Sequence, residues 1–442
     1  MKMKSAQNNI FVFGADQFNL TQMQALDSAA NYRFHELFSF RQVKSGREFP
    51  VKALYEGALE QLKRFPGSID AIVGYWDFPV SIMLPLLRKP YGLASPSYEA
   101  VLKCEHKYWC RLEQKKIVPE YIPDFCAVNP FADEPGQSIT VAYPFWIKPV
   151  KAASSHLGFK VRNDAELKQA IQTIRRNIFR FANPFNYMLQ FVRLPDEVAN
   201  VDGNYCIVES IISRGRQCTL EGYVYQGEVT VYGVVDSIRE GQHRCSFARY
   251  QYPSTIPQRI QQEMTAVTRH FLEYIDFDNG PFNIEYYWEH HQHAEDKIWL
   301  LEINTRISKS HCPLFRDVDG ATHQKVMLEL ALGQKPDFPY RQGSYKVAAK
   351  FMWRIYKDAF VRHVPTANDL SVLKRQFPEA DIQLHIHSGM YLSELKDQDS
   401  YSYEIAVIFL GGNTQKELLQ KYRDVQQAMR IELEPVDGQI SN

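Results

Sequence analysis

In Ile298-Trp299-Leu300-Leu301-Glu302-Ile303-Asn304-Thr305-Arg306 an apolar run gives way to polar residues at every second position, Glu302, Asn304 and Arg306. Pleating sends alternate side chains of a strand to opposite faces, so these three groups share one face if the segment is extended. A second apolar segment, Gly280-Pro281-Phe282-Asn283-Ile284-Glu285, places Glu285 seventeen positions before Glu302. That spacing accommodates two short antiparallel strands, Phe282 to Trp288 and Lys297 to Asn304, joined by the polar tip Glu289 to Asp296, with the two carboxylates side by side. Carboxylates held that close repel and raise one pKa unless a cation sits between them, and oxygen-only ligands of this kind suit magnesium rather than zinc. A hairpin showing alternating polar residues to water has the same pattern, so the spacing alone leaves both readings open. The tip histidines His290, His291 and His293 read as part of a solvated loop.

Upstream, Phe145-Trp146-Ile147-Lys148-Pro149 is an apolar strand that would fix the Lys148 ammonium beside a loop of small residues, Ala152-Ala153-Ser154-Ser155-His156-Leu157-Gly158. Backbone amides and hydroxyls of such a loop can hold phosphate oxygens while a lysine supplies the opposing charge. A helix from Asp164 to Phe179, capped by Asn163 or Asp164, a strand-rich stretch from Tyr205 to Ser237 and a helix around Ile256 to Ile275 complete an α+β unit. Near the start, Asn9 to Gly14 and Ser68 to Gly74 are apolar runs ending in glycine, with a helix-compatible stretch, Val51 to Phe65, between them. That order predicts an α/β domain with a parallel sheet over residues 1 to about 120. Neither run is followed by Gly-x-Gly-x-x-Gly, which argues against a dinucleotide site. Prolines 119, 123, 130, 135 and 144 mark a connecting passage around one short strand, and Gly333 to Gly343 marks a second linker. Beyond it, Tyr345 to Asn442 reads as strands with one late helix, Gln415 to Met429, and Gly411-Gly412 as a turn.

A chain of 442 residues should divide into two to four compact units, since domains commonly hold roughly 100–200 residues. Its 51 basic and 51 acidic residues cancel without any block of like charge, which argues against a nucleic-acid or anionic-membrane surface and favours small-molecule chemistry. The seven cysteines are odd in number, scattered and without Cys-x-x-Cys spacing, as expected of reduced thiols in a cytoplasmic protein. The apolar run Ile10 to Phe13 is too short for an export signal, and no stretch approaches the roughly 18 apolar residues of a membrane span.

Several of these segments together carry a resemblance. Glu302-Ile303-Asn304-Thr305-Arg306 resembles the Glu-x-Asn-x-Arg signature of ATP-grasp enzymes. Ile147-Lys148-Pro149 is similar to that family's lysine strand, Cys206 to Ile212 to the hinge that receives adenine, Gly280 to Glu285 to the segment bearing the first metal carboxylate, and Lys107 falls at the family's earlier nucleotide-contacting lysine. Tyr345 to Leu433 resembles the small C-terminal domain of biotin-carboxylase-like ligases that join amino acids, the L-amino acid ligases among them.

The resemblance implies an α/β and α+β multi-domain ATP-grasp fold. Its parts would be a Rossmann-like pre-ATP-grasp domain over residues 1–120, an ATP-grasp nucleotide-binding and catalytic domain over 121–340 with a lid at about 140–210, and a small α+β domain over 341–442. It further implies ATP as cofactor, held by Lys107, Lys148 and the lid serines Ser154 and Ser155 on phosphate and by Glu209, Ser210, Ile211 and Ile212 around adenine. Glu285, Glu302 and Asn304 would bind magnesium, with manganese as a substitute, while Arg306 and Lys148 would be the catalytic pair. Gln217 stands where an acidic ribose contact is expected, the lid is small-residue rather than glycine-rich, and Ser308-Lys309-Ser310-His311 replaces the family's glycines. These departures point to a specialised acceptor side, where Arg244, Arg249 and Arg316 are candidates to hold a substrate carboxylate. The activity that the resemblance implies is an ADP-forming ligation of a small carboxylate, with amino acids as the expected substrates, to an amine through an acyl phosphate; a homodimer is compatible with it. Its rivals are a biotin-carboxylase-type carboxylation and non-catalytic ATP binding.

Overall fold

The computed structural model describes residues 7–152, 156–241, 246–292, 295–396, 398 and 402–436. The first unit is a parallel sheet of β1 (Asn8–Ala15), β2 (Tyr32–Ser39) and β3 (Ala71–Val73) in the order β2-β1-β3. Period-two alternation gives β1 two apolar faces: Phe11 and Phe13 join the main core, while Ile10 and Val12 pack with Ile307, Met327 and Leu328 from far along the chain. Strand β2 was not anticipated. It is an edge strand whose Arg33, His35 and Glu36 break its apolar pattern.

A four-stranded antiparallel sheet follows in the order β4-β7-β5-β6, from β4 (Phe125–Val128), β5 (Phe145–Pro149), β6 (Phe159–Val161) and β7 (Cys206–Ser210). Helix Asp164–Asn177 packs Leu167, Ala170, Ile171 and Ile174 against it, with Asn163 accepting from the Glu166 amide as its N-cap. The expected helix to Phe179 is two helices, the second being Phe179–Leu189, because the chain turns at Ile178 and presents Phe181 and Phe185 to the main core instead.

The largest element is an eight-stranded antiparallel sheet. It takes β8 (Arg216–Tyr225), β9 (Glu228–Glu240), β10 (Ser246–Tyr252), β11 (Gly280–Glu289) and β12 (Lys297–Asn304), then β13 (Val347–Ile355), β15 (Asp381–Leu384) and β16 (Tyr403–Gly412), in the order β12-β11-β8-β9-β10-β13-β16-β15. The remaining pair, β14 (Ala359–His363) and β17 (Glu432–Pro435), forms a separate ribbon. The strands of the β11–β12 hairpin and the C-terminal strands thus belong to one sheet, joined by an ordinary ladder, β10 against β13.

The C-terminal part holds a second helix, Ala367–Gln376, besides the expected Gln415–Met429. Its start is written in a capping box, Thr366 with Asp369, and Leu373 is its buried contact. Gly411 and Gly412 are not a turn but the last residues of β16, opposite Ala348 and Val347. A β-carbon at Gly411 would collide with the Tyr345 ring, so close packing rather than chain reversal selects glycine there. Among the described residues no helix is long and apolar enough to cross a membrane.

Gly222, on β8 at a bulge against β9, fills a similar role in the main sheet. A β-carbon there would approach the Thr230 carbonyl oxygen to 2.6 Å and strike the buried Phe282 ring. Gly222→Ala should lower stability by about 1–3 kcal/mol, read as a reduced thermal midpoint with the far-UV circular dichroism of the folded state retained.

Candidate active site

Strands β11 and β12 pair with Glu285 opposite Glu302 and Asn283 opposite Asn304. This register depends on a bulge. Tyr286 faces Leu300, so Leu301 is the extra residue that lets Glu302 rather than Leu301 stand across from Glu285. Without it the strand would slip by one and turn Glu302 to the opposite face. The expected common face ends at Asn304, where the strand ends. Arg306 leaves the row because its guanidinium turns to Asp77, Nη2 donating to Oδ2 at 2.7 Å, in the loop after β3. Its Nε is buried without a hydrogen-bond partner.

Lys107, at the start of helix Lys107–Ile117, donates from Nζ to Glu302 Oε1 at 2.6 Å and to the Ala152 carbonyl at 3.2 Å. Burial pushes the Glu302 carboxyl up, but Lys107 and Lys148 outweigh it and hold it below the usual range. Glu285 has no such cation in contact. Burial first and the Glu302 charge second push it up to about 7. Gln217 donates to Glu285 Oε2 at 2.7 Å and accepts from Arg239 Nε at 3.1 Å, which places it beside the carboxylate pair.

An opposed carboxylate pair with one member raised is the electrostatic signature of a cation site, and its donors are all oxygen. Among the described residues no three His, Cys, Asp or Glu side chains are grouped to hold a metal. Two carboxylates and the Asn304 amide fit magnesium, which binds through one or two carboxylates and leaves its other positions to water and phosphate oxygens. Protons and the cation compete for Glu285, so magnesium affinity should fall as pH drops through about 7. Titration calorimetry should give a dissociation constant about tenfold weaker at pH 6 than at pH 8, a difference that Glu285→Gln should remove.

On the four-stranded sheet, Glu209 of β7 holds two cations. Its Oε1 accepts from Arg111 Nε at 2.7 Å and its Oε2 pairs with Lys148 Nζ at 2.6 Å. Burial opposes the charge, but the two cations hold the carboxyl down at about 2. The Glu209 side chain is therefore engaged in this triad, and what the hinge presents is backbone. Ser210 is tied to Asp124, its amide donating to the Asp124 carbonyl at 2.9 Å and its hydroxyl accepting from the Asp124 amide at 3.1 Å. Ile212 is buried and Ile211 half-buried at the same bend.

Ser154 and Ser155, with His293 and Arg244, lie outside the described residues. The loop that carries the serines starts from a clamp: Lys151 is buried in an ion pair with Glu105, which also accepts from Ser81 at 2.8 Å. Arg316 pairs with Asp317 and lines a separate cleft with Tyr345, Lys374 and Glu379, away from the carboxylate pair. Arg249 sits on β10 beside the Phe351 ring, its Nε buried and unpartnered. His290 pairs with Asp296 in the hairpin tip, so it takes part in an ordinary loop contact.

Arg111, Asp77 and Glu105 are the partners of the candidate residues and of the lid's first lysine that the sequence did not announce. Lys107 and Arg111 stand four apart on one helix and so share a face, which is the one signal for Arg111. Asp77 and Glu105 carry no pattern; only the fold brings them to Arg306 and Lys151.

Residues 141–312 match the family model of the ATP-grasp domain. The chain carries an ATP-grasp domain. The matched span contains Lys148, the hinge, both carboxylates and Arg306. A search of curated protein sequences finds no match. Among solved structures, the chain is similar to an L-amino acid ligase from Bacillus licheniformis, with a TM-score of 0.67, 13% identity, and coverage of 97% of this chain and 99% of that one. It is also similar to a biotin carboxylase from Campylobacter jejuni in complex with β-γ-ATP (TM-score 0.63, 12% identity, 96% and 92% covered). A third is N5-carboxyaminoimidazole synthetase from Staphylococcus aureus complexed with ADP (TM-score 0.61, 13% identity, 96% and 97% covered). At these identities the likeness is one of fold, and it extends over nearly the whole chain.

Removing Arg111 takes away one of the two cations on the buried Glu209 carboxylate and the donor to the Leu300 and Leu301 carbonyls together. Arg111→Leu should cost about 3–5 kcal/mol, seen as a large fall in the denaturation midpoint.

Proposed function

We propose that this ATP-grasp chain is an ADP-forming ligase that activates a small-molecule carboxylate as an acyl phosphate and joins it to an amine. The observation that carries this reading is the opposed pair Glu285 and Glu302 with Lys107 bonded to Glu302, and with Lys148, paired to Glu209, and Arg306, paired to Asp77, close enough for their charges to act on the two carboxylates. Such a site concentrates cations and metal-binding oxygens where a triphosphate and an acid can meet in line.

In this reading residues 1–120 and 341–442 frame the acid and amine, and 121–340 handle the nucleotide. Glu285, Glu302 and Asn304 would hold magnesium, which supplies charge neutralisation at the β- and γ-phosphates when bound. Lys107 and Lys148 bear on the phosphates, Ser154 and Ser155 close over them, and the Glu209 to Ile212 backbone receives adenine, with Gln217 orienting Glu285. The substrate carboxylate oxygen attacks the γ-phosphorus, the bond to the β-phosphate oxygen breaks, and ADP departs. The neutral amine then attacks the acyl carbon, phosphate leaves with the bonding pair, and the amine's extra proton passes to solvent or phosphate. Arg306, always charged, stabilises the oxyanion that forms in between.

The test is phosphate release from magnesium-ATP against pools of amino acids and small amines, with mass spectrometry of any responding mixture. Release that needs both an acid and an amine, with a condensed product, supports the ligase. ADP formation driven by bicarbonate alone, or ATP binding without turnover in any mixture, would replace it. Glu302→Ala should abolish turnover with the fold retained, since one carboxylate and an amide cannot hold the cation against the nucleotide's charge. Lys148→Ala should weaken ATP binding and slow phosphoryl transfer, and near-normal values of both would remove Lys148 from the site.

A further inference from the structure

Two cations near Arg306 are left without an anion. Lys309, in the loop after β12, lies with its ammonium 3.8 Å from the centroid of the Trp76 ring. Trp76 is fixed in turn, stacked on Phe40 at 3.4 Å and donating from Nε1 to the Gly14 carbonyl at 2.8 Å. Lys350, on β13, reaches Ser310 Oγ at 3.4 Å and lies 5.7 Å from the Tyr250 ring centroid. Among the described residues neither lysine forms an ion pair, although both are half-buried. The unpartnered Arg306 Nε adds a third donor without an acceptor.

The other charged or titratable groups facing Lys309 are Lys350, Arg306, Asp16 and the Cys312 thiol. Asp16 is committed to capping helix Gln17–Gln24, where it accepts from the Asn19 amide. Lys350 has only Glu404 to favour its charge, and Arg354 opposes it. Crowding desolvated cations without a counter-charge is costly unless a ligand supplies one. The place is also where an open parallel sheet binds ligands: beyond the carboxyl ends of β1 and β3, at the point where strand order reverses about β1.

We propose that Lys309, Lys350 and the free edge of Arg306 form a subsite for a second anionic group of the substrate, distinct from the carboxyl that is activated. This rests on the ligase reading and narrows it: the acid or the amine carries a fixed carboxylate or phosphate, and a substrate with no further charge is a poor one. Trp76, stacked beneath Lys309, fixes where that ammonium stands.

The experiment uses the full chain with succinate and inorganic phosphate as probes and magnesium-ADP as the nucleotide control, followed by calorimetry. One dianion should bind saturably. Lys309→Gln and Lys350→Gln should each weaken it by about tenfold or more, Lys309→Arg should restore it, and magnesium-ADP affinity should be unchanged in all three. Succinate without phosphate assigns a carboxylate group, and phosphate without succinate a phosphoryl group. Dianion affinity should also fall from pH 7 to pH 9, because burial and then the Lys350 charge bring Lys309 down to about 8, and it loses its proton in that window. If neither dianion binds, or binding survives both glutamine variants, while magnesium-ADP binds normally, the subsite is refuted and the ligase reading stands. Loss of magnesium-ADP binding in the unaltered chain would refute the ligase reading instead.

Discussion

The guanidinium of Arg111 is where three parts of the molecule meet. It projects from helix Lys107–Ile117, donates to Glu209 on the small sheet at 2.7 Å, and donates to the Leu300 and Leu301 carbonyls of β12 at 3.1 and 2.8 Å. Burying a guanidinium is tolerable only when its planar fork is matched by acceptors, and here every contact is to an acceptor held by secondary structure. The bulge at Leu301 leaves both carbonyls available to Arg111 and, in the same stroke, sets Glu302 opposite Glu285. The carboxylate register, the attitude of the hinge strand and the position of Lys107 one helical turn away therefore follow from a single buried cation.

The triad is one of two such pairings: Lys148 is neutralised by Glu209, and Lys107 by Glu302. Each lysine thus has a carboxylate to hold it, so the charges are fixed in place without being left bare in a poorly solvated cleft. Arg306 repeats the pattern with Asp77. Lys309 and Lys350 are the exceptions, which is what sets them apart from the rest of the site.

Much of this was legible in the residues, and the reason differs by element. The hairpin, its partner carboxylates and Lys148 on an apolar strand were readable because period-two alternation and spacing survive in sequence. The helix Gln415–Met429 was readable because Thr414, Leu418, Val425 and Met429 keep helical spacing. Strand β2 was not, since edge strands carry polar residues, and neither was the bulge, whose one-residue offset has no composition of its own. Arg111, Asp77 and Glu105 escaped because a partner tens or hundreds of positions away decides their role. Gly411 misled because glycine marks close packing as readily as a turn.

The order of the main sheet puts β12 at one of its ends, so among the described residues no further strand pairs with the outer side of the strand bearing Glu302 and Asn304. An exposed edge with free amides and carbonyls is a template for pairing with another chain. Arg111 occupies two of those carbonyls, the bulge interrupts the regular repeat, and Lys297 reaches across to the Glu120 carbonyl at 2.7 Å. The residues that set the carboxylate register also keep this edge from adding a foreign strand, and a variant that straightens the bulge would both turn Glu302 away from Glu285 and open the edge to pairing.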